Sequence, residues 1–210
     1  DFASLGNEET CTGDSARRIG NEYLFQTMAE QNLETFEKYK FKKIVTQCPH
    51  CFTTLKNDYS ELGADLDVVH HSQFIGQLVS EGKIKPKSWM DEDVTYHDAC
   101  YLGRHNDEYD APRDVIQSVM RDGELKEMEQ SKEKSFCCGA GGGNMWYEIK
   151  TGERINQNRF EQAAETGATT VATACNFCNI MMEDGMKVTG NDEKMKVVDI
   201  AELVAQSFTK

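Results

Sequence analysis

The 210-residue sequence contains no run of 18 apolar residues, its mean hydropathy is -0.62, and its first residues (Asp1, Phe2, Ala3, Ser4) supply neither a basic stretch nor an apolar one. Those absences argue against a membrane span and a signal peptide within these residues. Positive charge is in deficit: 23 Lys+Arg face 36 Asp+Glu, a net of -13. That sign repels phosphate backbones and anionic lipid heads, so no nucleic acid partner is expected. The acidic residues are spread along the chain, as on a solvated surface. No Ser-His-Asp spacing or paired-carboxylate signature stands out. An initiator Met is also missing, and DFASLGNEETC reads as if cut from something longer.

What is present is 39 % hydrophobic residues, enough for one large or two small domains, and eight cysteines at 11, 48, 51, 100, 137, 138, 175 and 178. Without secretory features, so many thiols point to a reduced, cytoplasmic compartment, where clustered thiolates usually hold metal. The cysteines lie in a repeat. KIVTQCPHC (43–51) matches TVATACNFC (170–178), DVVHHSQFIGQLV (67–79) matches KVVDIAELVAQSF (196–208), and Cys11-Thr12-Gly13 corresponds to Cys137-Cys138-Gly139. Each C-x2-C follows a β-branched run that reads as a buried strand, its second Cys opening a helix. The second copy begins earlier, at VTYHDACYLGR (94–104), and the counterpart of Cys100 in the first copy would precede Asp1. We therefore expect two units: a truncated one over residues 1–90 and a complete one over 91–210.

Strands are predicted at 43–47, 66–69, 93–97, 169–174 and 195–198. Helices are predicted at 49–60, 72–81, from Pro112 onward, from Met145 to about Glu165, at 176–187 and at 199–208. Asp14 is expected to cap a helix with an apolar stripe of Ile19, Tyr23, Met28, Leu33 and Phe36, and a helical stretch of some thirty residues is expected after each Cys-x-Gly landmark. Strand and helix alternating at this pitch imply an α/β fold with mainly parallel sheets flanked by helices. In such folds functional groups gather at the carboxyl ends of strands, which is where Cys48, Cys100 and Cys175 fall.

Five thiols in the second unit, C-x36-CC-x36-C-x2-C, overfill a four-ligand zinc site, whereas an iron-sulfur cluster offers several irons. The CCGAGGG segment allows the backbone to close around inorganic sulfide. CCGAGGG, CNFC and HDACYLGR resemble the cysteine-rich CCG domain of heterodisulfide reductase, found also in iron-sulfur subunits of anaerobic glycerol-3-phosphate dehydrogenase and of glycolate or lactate oxidase. CTGDSARRIGNEYLF (11–25) resembles in particular the membrane-associated iron-sulfur oxidoreductases linked to acyl-CoA dehydrogenases through electron-transfer flavoprotein.

The resemblance implies a noncubane [4Fe-4S] cluster on Cys100, Cys137, Cys138, Cys175 and Cys178. In the first unit Thr12 replaces the second Cys of the pair, which leaves Cys11, Cys48 and Cys51 and suits a cubane [4Fe-4S] cluster in the full-length protein. It implies an electron-transfer module between a flavoprotein or dehydrogenase donor and a quinone or other acceptor. Such a protein would sit at the inner face of the membrane, touching it only through segments outside this stretch. Two other readings stay open: reductive cleavage of a disulfide at the noncubane cluster, and a structural zinc module. His50 and His97 either tune a cluster by hydrogen bonding or cap a strand end or helix. Arg17, Arg18 and Arg104 either meet an anionic partner or are solvated. The glycine run 139–143 lacks the Lys-Ser/Thr ending of a phosphate loop, and Met181-Met182 read as core.

Overall fold

The computed structural model describes residues 2–147 and 151–209. In chain order the elements are α1 (Asp14–Arg18), α2 (Glu22–Glu37), β1 (Ile44–Thr46), α3 (Pro49–Thr53), β2 (Val68–His70), α4 (His71–Ser80), β3 (Val94–Tyr96), α5 (Gly103–Asn106), α6 (Asp110–Gln117), β4 (Leu125–Lys126), α7 (Ile155–Glu165), β5 (Thr170–Thr173), α8 (Asn176–Val188), β6 (Lys196–Asp199) and α9 (Ile200–Gln206). α3 runs on through a π turn (Thr54–Asp58) into a 3-10 turn (Tyr59–Leu62), so the helix expected at 49–60 exists in three geometries.

The strands form a two-stranded sheet, β1-β2, and a four-stranded sheet, β4-β3-β5-β6, with every described pairing parallel. The repeat holds at the level of register. Ile44 pairs Val68 and Thr46 pairs His70, while their sequence counterparts Val171 and Thr173 pair Val197 and Asp199. The caps repeat too: His70 and Asp199 end their strands and accept backbone N–H groups of α4 and α9. One apolar core joins both sheets, including Phe25, Phe52, Tyr59, Val94, Tyr96, Ile116 and Leu203. α4 packs on α6 and α9, and α7 on α8 over a second cluster that includes Met182 and Phe160. His71 Nε2 lies 3.2 Å from Asp199 Oδ1, a buried link between the first residue of α4 and the cap of α9.

Several expectations are corrected. Asp14 does not cap: Gly13, at φ +86°, holds the cap position, and Asp14 is the first helical residue. The helix beginning there stops at Arg18. Gly20 turns the chain at φ +86°, and α2 restarts with Asn21 accepting from Leu24 N. Ile19 and Tyr23 consequently face solvent at 57 % and 83 % exposure, and α2 buries Phe25, Ala29 and Asn32 instead. The helix predicted from Met145 begins only at Ile155. Gly141–Trp146 is a 3-10 segment in which Gly142 and Gly143 have positive φ, and Gly152 (φ +75°) turns the chain again before α7. Residues 148–150 of that predicted helix lie outside the described residues. The long helical stretch expected after Cys138 is therefore absent among the described residues. The two-residue strand β4, too short for any periodic signal, was not foreseen. In both C-x2-C motifs the first cysteine, not the second, stands at the helix boundary, Cys48 capping α3 and Cys175 capping α8.

Candidate metal centre

The cysteine positions follow from local backbone chemistry. Pro49 at the first position of α3 fixes the helix start behind Cys48, and Cys175 Sγ accepts the N–H of Cys178 at 3.5 Å, as a cap oxygen would. Cys11 and Cys137 each accept the N–H of the glycine two residues on, Gly13 at 3.4 Å and Gly139 at 3.3 Å. Both glycines are left-handed, and a Cβ on Gly139 would also sit 3.1 Å from Ile155 Cβ, so glycine is required for conformation and for space. Cys100 lies in the turn between β3 and α5.

The two units do not keep their thiols apart. Side-chain contacts run from Cys100 to Cys137, to Cys138, to Cys178, to Cys175, then across to Cys48 and on to Cys51, whose sulfur accepts the Thr12 hydroxyl at 3.5 Å. Cys178 and Cys138 sulfurs are 3.3 Å apart, so the Thr12–Cys51 contact repeats the Cys138–Cys178 contact with a hydroxyl in place of a thiol. Cys48, Cys138, Cys175 and Cys178 are buried, and Cys51, Cys100 and Cys137 are partly exposed. Cys11 stands outside the run, exposed, with its sulfur on Gly13 N–H.

Charge divides unevenly along the run. Cys137 is held down to about 2 by hydrogen bonds from Cys100 and Cys138, and Cys175 to about 5 by those from Cys178 and Cys48. Their donors go the other way: Cys48 and Cys138 are each pushed up to about 12, and Cys51, Cys100 and Cys178 are also raised, by thiolate neighbours and burial. A string of thiols this close cannot ionise together without a cation to absorb the charge. Soft sulfur donors select zinc, copper(I) or iron-sulfur chemistry. Five thiols of the second unit, with Cys137 and Cys138 adjacent, exceed the four positions of a tetrahedral ion, so the donor set fits a polynuclear iron-sulfur group.

Polar side chains that carried no clear sequence signal hold these loops. Asp98 is buried, takes a two-pronged hydrogen bond from Arg113 (2.7 and 3.0 Å) and accepts Lys132 N–H at 2.8 Å, tying the approach to Cys137 back to β3. His70 Nε2 donates to Gln47 O at 3.1 Å and also contacts the Ala174 carbonyl, so one ring steadies the residues preceding Cys48 and Cys175. His50 from C-P-H-C stacks on Tyr101 at 3.9 Å, meets Phe177 from C-N-F-C edge-on at 5.0 Å and binds Asp14 Oδ2 at 2.8 Å. His97 places a ring nitrogen within 4.8 Å of the Cys138 and Cys178 sulfurs. Arg17 and Arg18 are engaged inside the molecule, Arg17 with Asp58 and Glu61 and Arg18 with Asp14 and Asp58. Met181 and Met182 are core, in line with their sequence reading. A guide was available for Asp98 and His97, which stand in the H-D-A-C motif. For Arg113 and Arg159, on amphipathic helices far along the chain, the sequence offered none.

Comparison with known proteins agrees with this geometry. The chain is 47 % identical over 210 residues to the "EtfAB:quinone oxidoreductase" of Syntrophomonas wolfei, covering 97 % of this chain and 29 % of that protein. It is 45 % identical over 206 residues to the "probable iron-sulfur-binding oxidoreductase FadF" of Bacillus subtilis, covering 98 % and 29 %. With a subunit of the dihydromethanophenazine:CoB--CoM heterodisulfide reductase of Methanosarcina barkeri it shares 36 % over 218 residues, covering 99 % and 51 %. The chain thus spans between about a third and a half of the length of these relatives. The profile described as CCG, a cysteine-rich domain, matches residues 1–56 and 94–183, which contain all eight cysteines, and the chain belongs to that family.

Proposed function

We propose that this chain is the iron-sulfur electron-transfer module of a longer oxidoreductase. Residues 91–210 hold a noncubane [4Fe-4S] cluster on Cys100, Cys137, Cys138, Cys175 and Cys178, and residues 1–90 contribute Cys11, Cys48 and Cys51 to a second, cubane site. The observation that carries the reading is the unbroken run of seven thiols, four of them buried, shared by both units. When bound, such a cluster supplies one-electron storage at sulfur-ligated iron. The chain's own residues do the rest. The buried walls exclude water, the helix starts behind Cys48 and Cys175 present N–H groups to sulfur, and Asp98 and His70 fix the loops. The names of the relatives support a flavoprotein or dehydrogenase as donor and a quinone or disulfide as acceptor. The longer protein works at the inner face of the cytoplasmic membrane through segments outside this stretch.

One feature favours cleavage of a bound disulfide as a second reading: Cys51, Cys100 and Cys137 keep part of their surface in solvent, so a sulfur-containing substrate has an approach. Anaerobic iron and acid-labile sulfide analysis, with electron paramagnetic resonance before and after adding a disulfide, tests both. Iron with matching sulfide supports the module, and a signal perturbed by the disulfide favours the enzyme. Zinc without sulfide overturns both and leaves a structural zinc module.

A further inference from the structure

We infer that Arg159 is the positive charge that balances the metal–thiolate group at Cys138 and Cys178, acting through His97, which donates a hydrogen bond to sulfur and is not a metal ligand. The inference rests on the iron-sulfur reading above and assigns a positioning pair within it.

Arg159 is fully buried in α7, the bulkiest such side chain among the described residues. Its Nε donates to His97 Nδ1 at 3.0 Å, Nη1 to Gln130 O at 3.0 Å and Gln162 Oε1 at 2.7 Å, and Nη2 to Ser135 Oγ at 3.1 Å. Each of these acceptors is neutral. Arg113, the other buried arginine, binds the carboxylates of Asp98 and Glu127. A guanidinium without a carboxylate partner is costly to bury unless negative charge lies close by. Burial lowers its pKa only to about 10, so the charge remains at neutral pH. The anionic groups near enough to act on it are Asp98, Cys178, Cys138 and Cys137. Both Asp98 oxygens already serve Arg113, and one of them also accepts Lys132 N–H. Cysteines bound to metal are thiolates, which leaves them as the compensating charge.

The same contact settles the tautomer of His97. A guanidinium N–H can only donate, so Nδ1 is an acceptor with its lone pair engaged, and the ring hydrogen is on Nε2. Neither nitrogen then has a free lone pair for a metal. A buried imidazole in this state, beside the Cys138 and Cys178 sulfurs, offers them an N–H, as outer-shell donors do around metal–sulfur groups. Adding an electron to the group adds negative charge, so Arg159 favours the reduced state and raises the reduction potential.

The test uses the full 210-residue chain reconstituted anaerobically with ferrous iron and sulfide, with a redox titration followed by electron paramagnetic resonance. Arg159→Met should keep its iron and shift the midpoint to a more negative potential, and Arg159→Lys, which keeps the charge, should return most of the way. His97→Leu should shift the midpoint negative at unchanged iron content, and His97→Gln, which keeps an N–H donor, should lie near the unsubstituted chain. If Arg159→Met does not fold, Arg159→Lys and His97→Leu decide the matter by the same comparison. Full occupancy with an unmoved midpoint in Arg159→Met, or in His97→Leu where that pair decides, overturns this inference alone. Loss of iron in His97→Gln makes His97 a ligand and overturns it as well. Absence of iron and labile sulfide in the unsubstituted chain overturns the cluster reading and this inference with it.

Discussion

Replacing Asp98 by Asn separates the scaffold of the site from its sulfur donors. The carboxylate is 4 % exposed, receives both arms of the Arg113 fork at 2.7 and 3.0 Å and accepts Lys132 N–H at 2.8 Å. An amide of the same shape puts an NH2 against one of these donors and leaves a buried guanidinium short of a counter-charge. Breaking a buried pair from one side costs about 3–5 kcal/mol. Arg113 retains Glu127 at 2.6 and 2.8 Å and the Tyr109 carbonyl, which favours the low end, about 3 kcal/mol. At about 2–4 °C per kcal/mol for a chain of this size, calorimetry should record a fall in Tm of about 6–12 °C. Because Lys132 N–H loses its anchor, the segment leading to Cys137 should loosen, and alkylation of Cys137 in the metal-free protein should accelerate. Adding Arg113→Met removes the stranded charge, so the double variant should be more stable than the sum of the single losses by about 1–3 kcal/mol. A Tm within about 2 °C of the unsubstituted chain, or strict additivity, would show that this pair holds nothing together.

Three further outcomes are expected. Gly185→Ala improves helix propensity by about 1 kcal/mol, but its Cβ would lie 2.7 Å from Asn156 O and 2.9 Å from Phe160 Cβ. The crowding of α8 against α7 should win, with urea unfolding showing a net loss of about 1–2 kcal/mol. His70 is held neutral by burial, its pKa lowered to about 3. The unfolded chain therefore takes up a proton below about pH 6.5 that the folded chain refuses. Its contribution to stability is complete above that pH and declines by up to about 1.4 kcal/mol per unit as pH falls toward 3. His70→Gln should flatten that part of the acid limb, read from urea midpoints at several pH values. Finally, Cys138→Ser interrupts the run between Cys137 and Cys178 and should remove most of the iron after reconstitution, whereas Cys11→Ser, outside the run, should remove little. Equal losses in the two variants would refute that division.

The sequence by itself determined what is local or repeated. Short β-branched runs ending in C-x2-C gave strands followed by helices. The duplicated spacing gave two related α/β halves, and the matched registers of β1-β2 and β5-β6 follow from it. The adjacent Cys137-Cys138 with its glycines was enough to mark the metal chemistry. What sequence could not carry was the meeting of elements distant along the chain. The Cys48–Cys175 contact that merges two sulfur sets into one run depends on how the two sheets share a core. The break between α1 and α2 was hidden because helical period survives a turn at Gly20, while burial does not. Arg159 reaches His97 across 62 positions, and no periodicity records that a cation on a helix face points inward. Tertiary packing decided it, because a side chain's cost or benefit depends on the charges folded around it.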